Sequence, residues 1–311
     1  MTQHTIGIDI SKDSLDAHHL ASGQDCRFGN DKAGHKALVA WIGKHPTRIV
    51  YEPTGPYHRA VERVLAAAGL ALVKVNPRQA RRFAEATGKL AKTDRLDAAL
   101  LARMGSLLDL QARPVASDGL RELKELHGAR QALIKDRTAA RNRAKTLTLT
   151  LLKRHNAQRM TQIEHQITAI ETAILARLKA DPHLAQRLDV LTSIPGVSQL
   201  TAFALIIEMP ELGSLDGKQA ASLAGLAPVS RQSGTWKGHA FIRGGRAQVR
   251  QALYMPALVA CRFNADLAQA YQRFRNAGKP PKVAITAVMR KLIVLANALL
   301  RDGRNWSPAI T

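Results

Sequence analysis

The sequence predicts an α/β domain at the N-terminus, then a helical linker, then a mainly helical C-terminal domain. Strand and helix signals alternate over the first hundred residues, a long helical pattern follows, and apolar helical segments dominate the remainder. A typical domain has roughly 100–200 residues, so a chain of 311 residues has room for this arrangement. We expect the boundaries at residues 1–110, 111–188 and 189–311.

The N-terminal domain begins with three predicted strands. In Thr5–Ile10, isoleucine at every second position falls on one face and Asp9 falls on the other. Leu15–Leu20 predicts the second strand, and Cys26–Phe28 lies in the third. The later predicted elements are a helix over Ala33–Gly43 capped by Asn30 or Asp31, a strand over Arg48–Glu52, a helix over Tyr57–Ala68, a strand over Leu70–Val75, a helix over Pro77–Ala86 and a helix capped by Thr93.

The linker is predicted as long helix, because residues 118–181 contain no proline and two glycines. Within it, apolar residues at alternating spacings of three and four indicate a coiled-coil seam. They are Met160, Ile163, Ile167, Ile170 and Ile174. This seam predicts either self-association, as a dimer or tetramer, or a helical hairpin. An amphipathic helix docked on its own domain stays open, since the repeat covers only about two heptads.

The C-terminal domain opens with Pro195-Gly196 between two apolar helical segments, and Ser198 is placed to cap the second. This pattern resembles a helix-hairpin-helix, which presents backbone amides to phosphate without reading sequence. A plain helical turn is the alternative, because Ser198 stands where such hairpins usually have a second glycine. The final apolar helix, Val283–Leu300, is expected in the core.

The chain is strongly basic, with 46 Lys and Arg against 24 Asp and Glu, a formal net charge of +22 and a pI near 10.7. Such self-repulsion is typical of proteins that bind a polyanion, so nucleic acid is the expected partner. We predict no membrane partner and a cytoplasmic protein, because no apolar run approaches ~20 residues and the start lacks a signal-peptide pattern. Cys26 and Cys261 lack zinc-site spacing and are interpreted as reduced packing residues.

The positive charge is concentrated in the last third of the chain. Residues 217–265 carry seven Lys or Arg residues and no acidic residue, which predicts contact with phosphates. The nucleic-acid contacts that we expect there, together with two from the linker, are Lys237, Arg243, Arg246, Arg250, Arg141 and Arg143. For the linker residues, a solvated helix face is an equally good interpretation.

Four acidic residues in this basic chain are candidate metal ligands. Asp9 projects from the middle of a strand, Glu52 ends another strand before a proline-glycine turn, and Asp94 and Asp97 share one face at a helix start. Carboxylate oxygens are preferred ligands of Mg²⁺, and two such ions can activate the nucleophile and stabilise the leaving oxygen in phosphoryl transfer. Alone, the acids also fit solvated strand positions and helix-dipole compensation.

Three acidic segments resemble the motifs of the DEDD insertion-sequence transposases, the insertion-sequence one-ten family, to which the Piv invertase is related. These segments are Ile6–Lys12, Tyr51–Gly55 and Lys92–Ala98. The resemblance extends through a C-terminal segment that comprises Gly225–Pro228, Ser233-Gly234, Lys237-Gly238, Ile242 and Gly244–Arg246.

The resemblance implies a RuvC-like domain of RNase H fold, a helical linker and a transposase domain with a serine nucleophile. It maps the Mg²⁺ ligands onto Asp9, Glu52, Asp94 and Asp97, with two ions, and the serine onto Ser233. It also implies donor and target DNA, a bridge RNA as guide, and localisation at the bacterial nucleoid. From the residues alone, a flexible-loop hydroxyl is the favoured interpretation of Ser233, and Ser230 competes with it; the resemblance is what selects Ser233.

Two alternative functions stay open. The first is a RuvC-like structure-specific endonuclease with a water nucleophile, for which Ser233 is dispensable. The second is a helix-hairpin-helix nucleic-acid-binding protein without catalysis, whose acids balance helix dipoles and surface charge.

Overall fold

The structure is a computed structural model, which describes residues 4–43, 45, 47–88, 94–112, 114–115 and 117–308. For residues 94–96, 236 and 237 it describes the backbone alone. The chain divides into two compact units, residues 1–116 and 117–311, of which the first is mixed α/β and the second is mainly helical. The two helices of the predicted linker belong to the second unit.

The first unit contains a five-stranded sheet with the order β3-β2-β1-β4-β5. β1 pairs antiparallel with β2 and β2 with β3, whereas β1 and β4, and β4 and β5, are parallel. The strands are β1 His4–Ile10, β2 Ser14–His19, β3 Gln24–Gly29, β4 Thr47–Tyr51 and β5 Ala71–Lys74. Each contains or overlaps the predicted strand at its position.

Four helices cover this sheet on two faces. They are α1 Lys32–Ile42, α2 His58–Ala67, α3 Pro77–Ala86 and α4 Asp94–Leu107. Leu38 of α1 and Val61 of α2 pack in one core with the isoleucines of β1, while Leu101 of α4 packs in a second core with Val50 of β4. Asp31 caps α1, as one of the two predicted choices, and Thr93 lies outside the described residues.

The second unit begins with an antiparallel pair of long helices, α5 Asp118–Ala144 and α6 Thr150–Ala180. Ion pairs cross between them, including Arg130–Glu171 at 2.7 Å and Arg137–Glu164 at 3.2 Å. Ile163, Ile167 and Ile174 of the predicted seam are buried. The chain therefore forms a helical hairpin, one of the predicted arrangements, and self-association stays a prediction.

The remaining helices enclose the largest core of the molecule. They are α7 Pro182–Thr192, α8 Gln199–Glu208, α9 Gly217–Leu223, α10 Ala247–Phe263, α11 Ala265–Asn276 and α12 Pro281–Asp302. Ser198 caps α8, and the turn before it packs on α10, where a Cβ on Gly196 would lie 2.9 Å from the Pro256 carbonyl oxygen. By length and composition, α12 is the one described helix that could cross a membrane, but nine of its residues are buried in this unit.

A small exposed hairpin interrupts the helices between α9 and α10. Its strand pairs are only two residues long: β6 Pro228–Val229 with β9 Phe241–Ile242, and β7 Gln232–Ser233 with β8 Trp236–Lys237. We call residues 228–242 the serine hairpin. Nothing in the sequence pattern predicted these strands, since they are too short for an alternating apolar pattern.

Candidate active site

The first predicted site residues lie where α4 crosses β1 and β4. A Cβ on Gly7 would lie 2.0 Å from the Ala98 carbonyl oxygen, so the helix backbone rests directly on the strand. A Cβ on Gly105, near the other end of α4, would lie 3.0 Å from Thr5. Since Thr5 meets Gly105 and Gly7 meets Ala98, α4 runs antiparallel to β1.

This direction brings the N-terminal end of α4 to Asp9. Thr5, Gly7 and Asp9 share one face of β1, because alternate residues of a strand do so. From Gly7 to Asp9, the strand advances by two residues, or about 6.6 Å. The antiparallel helix covers the same distance in between four and five residues, at a rise of about 1.5 Å each. The step leads from Ala98 and Ala102, which flank Gly7, to the turn that carries Asp94 and Asp97.

Glu52 belongs to the same end of the sheet. Ile8 of β1 is in register with Tyr51 of β4, so Asp9 and Glu52 follow side by side at the carboxyl ends of two parallel strands. Tyr51 faces α2, where its hydroxyl hydrogen-bonds Glu62, and alternation places Glu52 on the opposite face, toward α4. The structure thus brings the backbone positions of these acids to one end of the sheet, and their role as metal ligands stays a prediction.

The side chains do not form a complete metal site in the part of the chain that is described. Asp9, Glu52 and Asp97 are each half-buried, and the side chain of Asp94 lies outside the described residues. Among those described, no group of three His, Cys, Asp or Glu side chains is close enough to hold a metal ion. The donor type nevertheless fits a hard divalent cation, and the partial positive charge of the α4 N-terminus favours carboxylates here.

Asp16 is a neighbour of Asp9 that was not predicted. It lies directly opposite Asp9 across the β1–β2 pair, and such partners point to the same face. Its carboxylate is 3.4 Å from the Arg27 guanidinium on β3, so a cation offsets the repulsion between the two acids. Asp16 could have been placed beside Asp9 from one signal in the sequence. That signal is the alternation of the predicted second strand, provided that its register with β1 was known.

A polar cluster of two buried side chains, Tyr51 and Glu62, and the half-exposed Lys74 lies behind Glu52 on the α2 face. Lys74 Nζ is 2.6 Å from Glu62 Oε1, and Tyr51 donates to the same oxygen. Burial opposes ionisation of Glu62, but hydrogen bonds from Lys74 and Tyr51 outweigh it and lower the pKa of the carboxyl. The cluster fixes the end of β4 immediately before Glu52.

In the second unit, Ser233 lies at the tip of the serine hairpin. It pairs with Trp236 across a two-residue turn, and Gly234 adopts a φ of 55° that favours glycine. Ser233 and Arg231 are exposed, as is Ser230, so exposure does not distinguish the two serines. The turn position does distinguish them, because only Ser233 lies at the end of the hairpin.

The predicted nucleic-acid contacts have different surroundings. Arg243 is exposed, whereas Arg246 forms a bidentate ion pair with Glu211 and Arg250 donates to main-chain carbonyl oxygens. In the linker, Arg141 is 3.2 Å from Glu164, and Arg143 is exposed and donates to a carbonyl of its own helix. The side chain of Lys237 lies outside the described residues. The contact of all six with nucleic acid stays a prediction.

Comparison with known proteins adds two family matches. Residues 6–172 match a family described as transposase, and residues 188–272 match one described as transposase of the IS116/IS110/IS902 family. The first match contains all four acids and the second contains Ser233, so the family matches span both candidate sites.

Individual relatives agree with these matches. The chain is 31% identical to the pilin gene-inverting protein of Moraxella bovis over 332 aligned positions, which cover 100% of this chain and 99% of that protein. It is 37% identical over 162 positions to an uncharacterised 43.6 kDa protein of insertion element IS110 from Streptomyces coelicolor, covering 51% of this chain and 38% of that protein. The chain is a DNA recombinase that belongs to the IS116/IS110/IS902 family of transposases.

Proposed function

We propose that this transposase cuts and rejoins DNA by attack of Ser233 on a phosphodiester, with Asp9, Glu52, Asp94 and Asp97 as a metal-binding carboxylate set on an RNase H-like domain. The observation that carries the proposal is the convergence of Asp9, Glu52 and the N-terminal turn of α4 at one end of the sheet. The strand order, with an antiparallel trio joined to two parallel strands, supports the fold assignment.

The carboxylate set suits two Mg²⁺ ions, which supply Lewis-acid stabilisation of phosphodiester oxygens when bound. The chain contributes the ligand positions and a helix N-terminus beside them. It also contributes the polar cluster of Tyr51, Glu62 and Lys74, which holds the strand end that presents Glu52.

Ser233 supplies the nucleophile in this proposal. Its Oγ forms a bond to phosphorus while the bond from phosphorus to one DNA oxygen breaks, and the serine proton ends on that leaving oxygen as a new DNA hydroxyl. The phosphodiester bond energy is retained in the serine–DNA link. A DNA hydroxyl from another strand then reverses the step, which reseals DNA without ATP.

The exposed tip position suits this role, since DNA backbone reaches a hydroxyl there without rearrangement of the helical core. Arg231 and Arg243, exposed on or beside the same hairpin, are suited to neutralising the attacked strand. Resealing also accords with the similarity to a pilin gene-inverting protein, since inversion of a DNA segment requires both cutting and rejoining.

We further propose that a bridge RNA guides the protein to donor and target DNA, and that the protein acts as a dimer or tetramer. The net charge of +22 supports simultaneous binding of several nucleic-acid strands. The segment predicted as a helix-hairpin-helix, which comprises α7, α8 and the turn at Gly196, is a further candidate for contacting phosphates.

A recombination assay tests the proposal. Purified protein, donor and target DNA, Mg²⁺ and the non-coding RNA that flanks the gene should give sealed recombinant products. Ser233→Ala should abolish the products, while Ser230→Ala, a matched change on the same hairpin, should retain them. Cut DNA without sealed products would favour a RuvC-like endonuclease with a water nucleophile. Recombination by RNA-free protein would contradict the proposed role of a guide RNA.

A further inference from the structure

The two chain segments that enter and leave the serine hairpin are in direct contact. We call residues 223–225 and 244–246 the neck. Arg246 donates its backbone N–H to the Leu223 carbonyl oxygen at 2.7 Å. A Cβ on Gly245 would lie 2.2 Å from the Gly225 nitrogen, and both glycines have a φ between 60° and 70°. The neck therefore accepts no side chain at either position without moving apart.

Arg250 joins the two sides of the neck from beneath. Its Nη1 donates to the Gly244 carbonyl oxygen at 3.0 Å and to the Gly225 carbonyl oxygen at 3.4 Å. A Cβ on Gly225 would lie 2.2 Å from the same nitrogen, which shows how closely the guanidinium is packed. Arg250 lies one turn into α10, so the neck is attached to a helix of the core.

Arg246 attaches the neck to the loop after α8. Its Nη1 and Nη2 atoms lie 2.8 and 2.7 Å from the two Glu211 carboxylate oxygens, and Nη1 also donates to the Glu208 carbonyl oxygen at 2.5 Å. The hydrogen bonds that Arg246 donates to the Glu211 carboxylate raise the pKa of its guanidinium. Less than a third of either side chain is exposed, so the pair is a partly desolvated, bidentate bond of the stronger kind.

We propose that Arg246 and Arg250 are positioning residues for Ser233, and that the exposed Arg243, which directly follows the hairpin, contacts the DNA phosphates instead. The inference rests on the proposed role of Ser233. The serine hairpin has just two short strand pairs of its own, so its orientation depends on the neck. The Glu211 carboxylate already neutralises the Arg246 guanidinium, which leaves it little net charge to exchange for counterions on DNA.

Two measurements on full-length protein separate positioning from phosphate contact. The first is the slope of log binding constant against log salt for DNA, and the second is the single-turnover rate of covalent adduct formation on saturating DNA with guide RNA and Mg²⁺. Arg246→Gln should leave the salt slope unchanged and lower the adduct rate about 10- to 100-fold, because a misplacement of about 1 Å can cost that much. The matched control Arg243→Gln should reduce the slope by about 0.9.

Glu211→Gln also separates the two roles of Arg246, because positioning and phosphate contact predict opposite effects of this variant. If Arg246 positions the hairpin, this variant also lowers the adduct rate, and the reciprocal pair Arg246→Glu with Glu211→Arg recovers part of it. If Arg246 contacts phosphate, freeing its charge instead strengthens DNA binding and steepens the salt slope. The melting temperature of each variant shows whether the substitution has caused a general loss of folding. The reciprocal pair is the comparison for the single variants in this measurement.

The inference is overturned if Arg246→Gln reduces the salt slope as Arg243→Gln does, or if it forms adduct at the wild-type rate. Those outcomes leave the proposed function intact, provided that Ser233→Ala forms no adduct. An adduct that persists in Ser233→Ala contradicts the proposed function itself, and is recognised in the same assay.

Discussion

The close approach of α4 to β1 predicts that one added methyl group at Gly7 disturbs the carboxylate site. In Gly7→Ala, the new Cβ would lie 2.0 Å from the Ala98 carbonyl oxygen and 2.5 Å from the Ala102 nitrogen. Both obstacles are helix backbone, so no side-chain rotation relieves them. The helix itself has to move away from the strand.

The size of that movement follows from the contact distances. An ordinary contact with a Cβ begins at 3.4 Å, so α4 has to withdraw by more than about 1 Å at this point. Overpacking of a core typically costs about 1–3 kcal/mol, and a backbone obstacle places Gly7→Ala at or above the upper end. A shift of about 1 Å between Asp9 and the turn carrying Asp97 should lower the rate of DNA cleavage about 100-fold.

The assay combines urea unfolding with single-turnover cleavage of saturating DNA. Gly128→Ala in α5 is the matched control, because a Cβ there meets no atom within 4 Å and alanine favours helix, which should raise stability by up to about 1 kcal/mol. Gly7→Ala should retain DNA binding while losing cleavage. Wild-type cleavage by a folded Gly7→Ala protein would refute the placement of the acids by this contact.

Three further predictions concern buried charge and metal. Desolvation lowers the pKa of His127 to about 4, below its unfolded value of 6.5, so stability should be complete above pH 6.5 and fall by about 3 kcal/mol toward pH 4. In urea titrations, His127→Gln should flatten that decline, and an unchanged profile would contradict the assignment. Glu62→Gln should lower the free energy of unfolding by about 2 kcal/mol at pH 7, because the half-exposed Lys74 loses its partner. The double variant Glu62→Gln with Lys74→Met should recover part of this loss. Equal stability of the wild type and the single variant would show that the ion pair is dispensable. Chelation of divalent cations should abolish cleavage but not DNA binding in gel-shift assays, and cleavage in excess chelator would exclude the metal-dependent account.

Local patterns in the sequence predicted most of the first unit. Alternating isoleucines located β1 and placed Asp9 on its other face, and the proline-glycine turn located the end of β4 beside Glu52. The register between strands did not follow, since alternation within one strand does not say which residue it pairs with on the next. The position of Asp16 opposite Asp9 was missed for that reason.

The serine hairpin shows what local patterns could not provide. The arginines that follow it, Arg243, Arg246 and Arg250, all suggested phosphate contact, because composition does not reveal which cations have protein partners. Arg246 bonds Glu211, which is 35 positions away in sequence, and that contact exists only once α8 and α10 pack together. For the coiled-coil seam, the apolar period predicted that the helix packs on a partner but did not identify the partner. In the structure, the partner of α6 is α5.

Capture of a covalent protein–DNA adduct tests the central claim most directly. DNA with an interrupted strand near the cleavage site, incubated with the protein, guide RNA and Mg²⁺, should trap DNA on the peptide that contains Ser233, as identified by mass spectrometry. Asp9→Asn should lower its yield at least about 100-fold, as expected for loss of a metal ligand, and Ser233→Ala should give none. DNA attached to another residue, or DNA cut efficiently with no adduct at any time, would contradict the account.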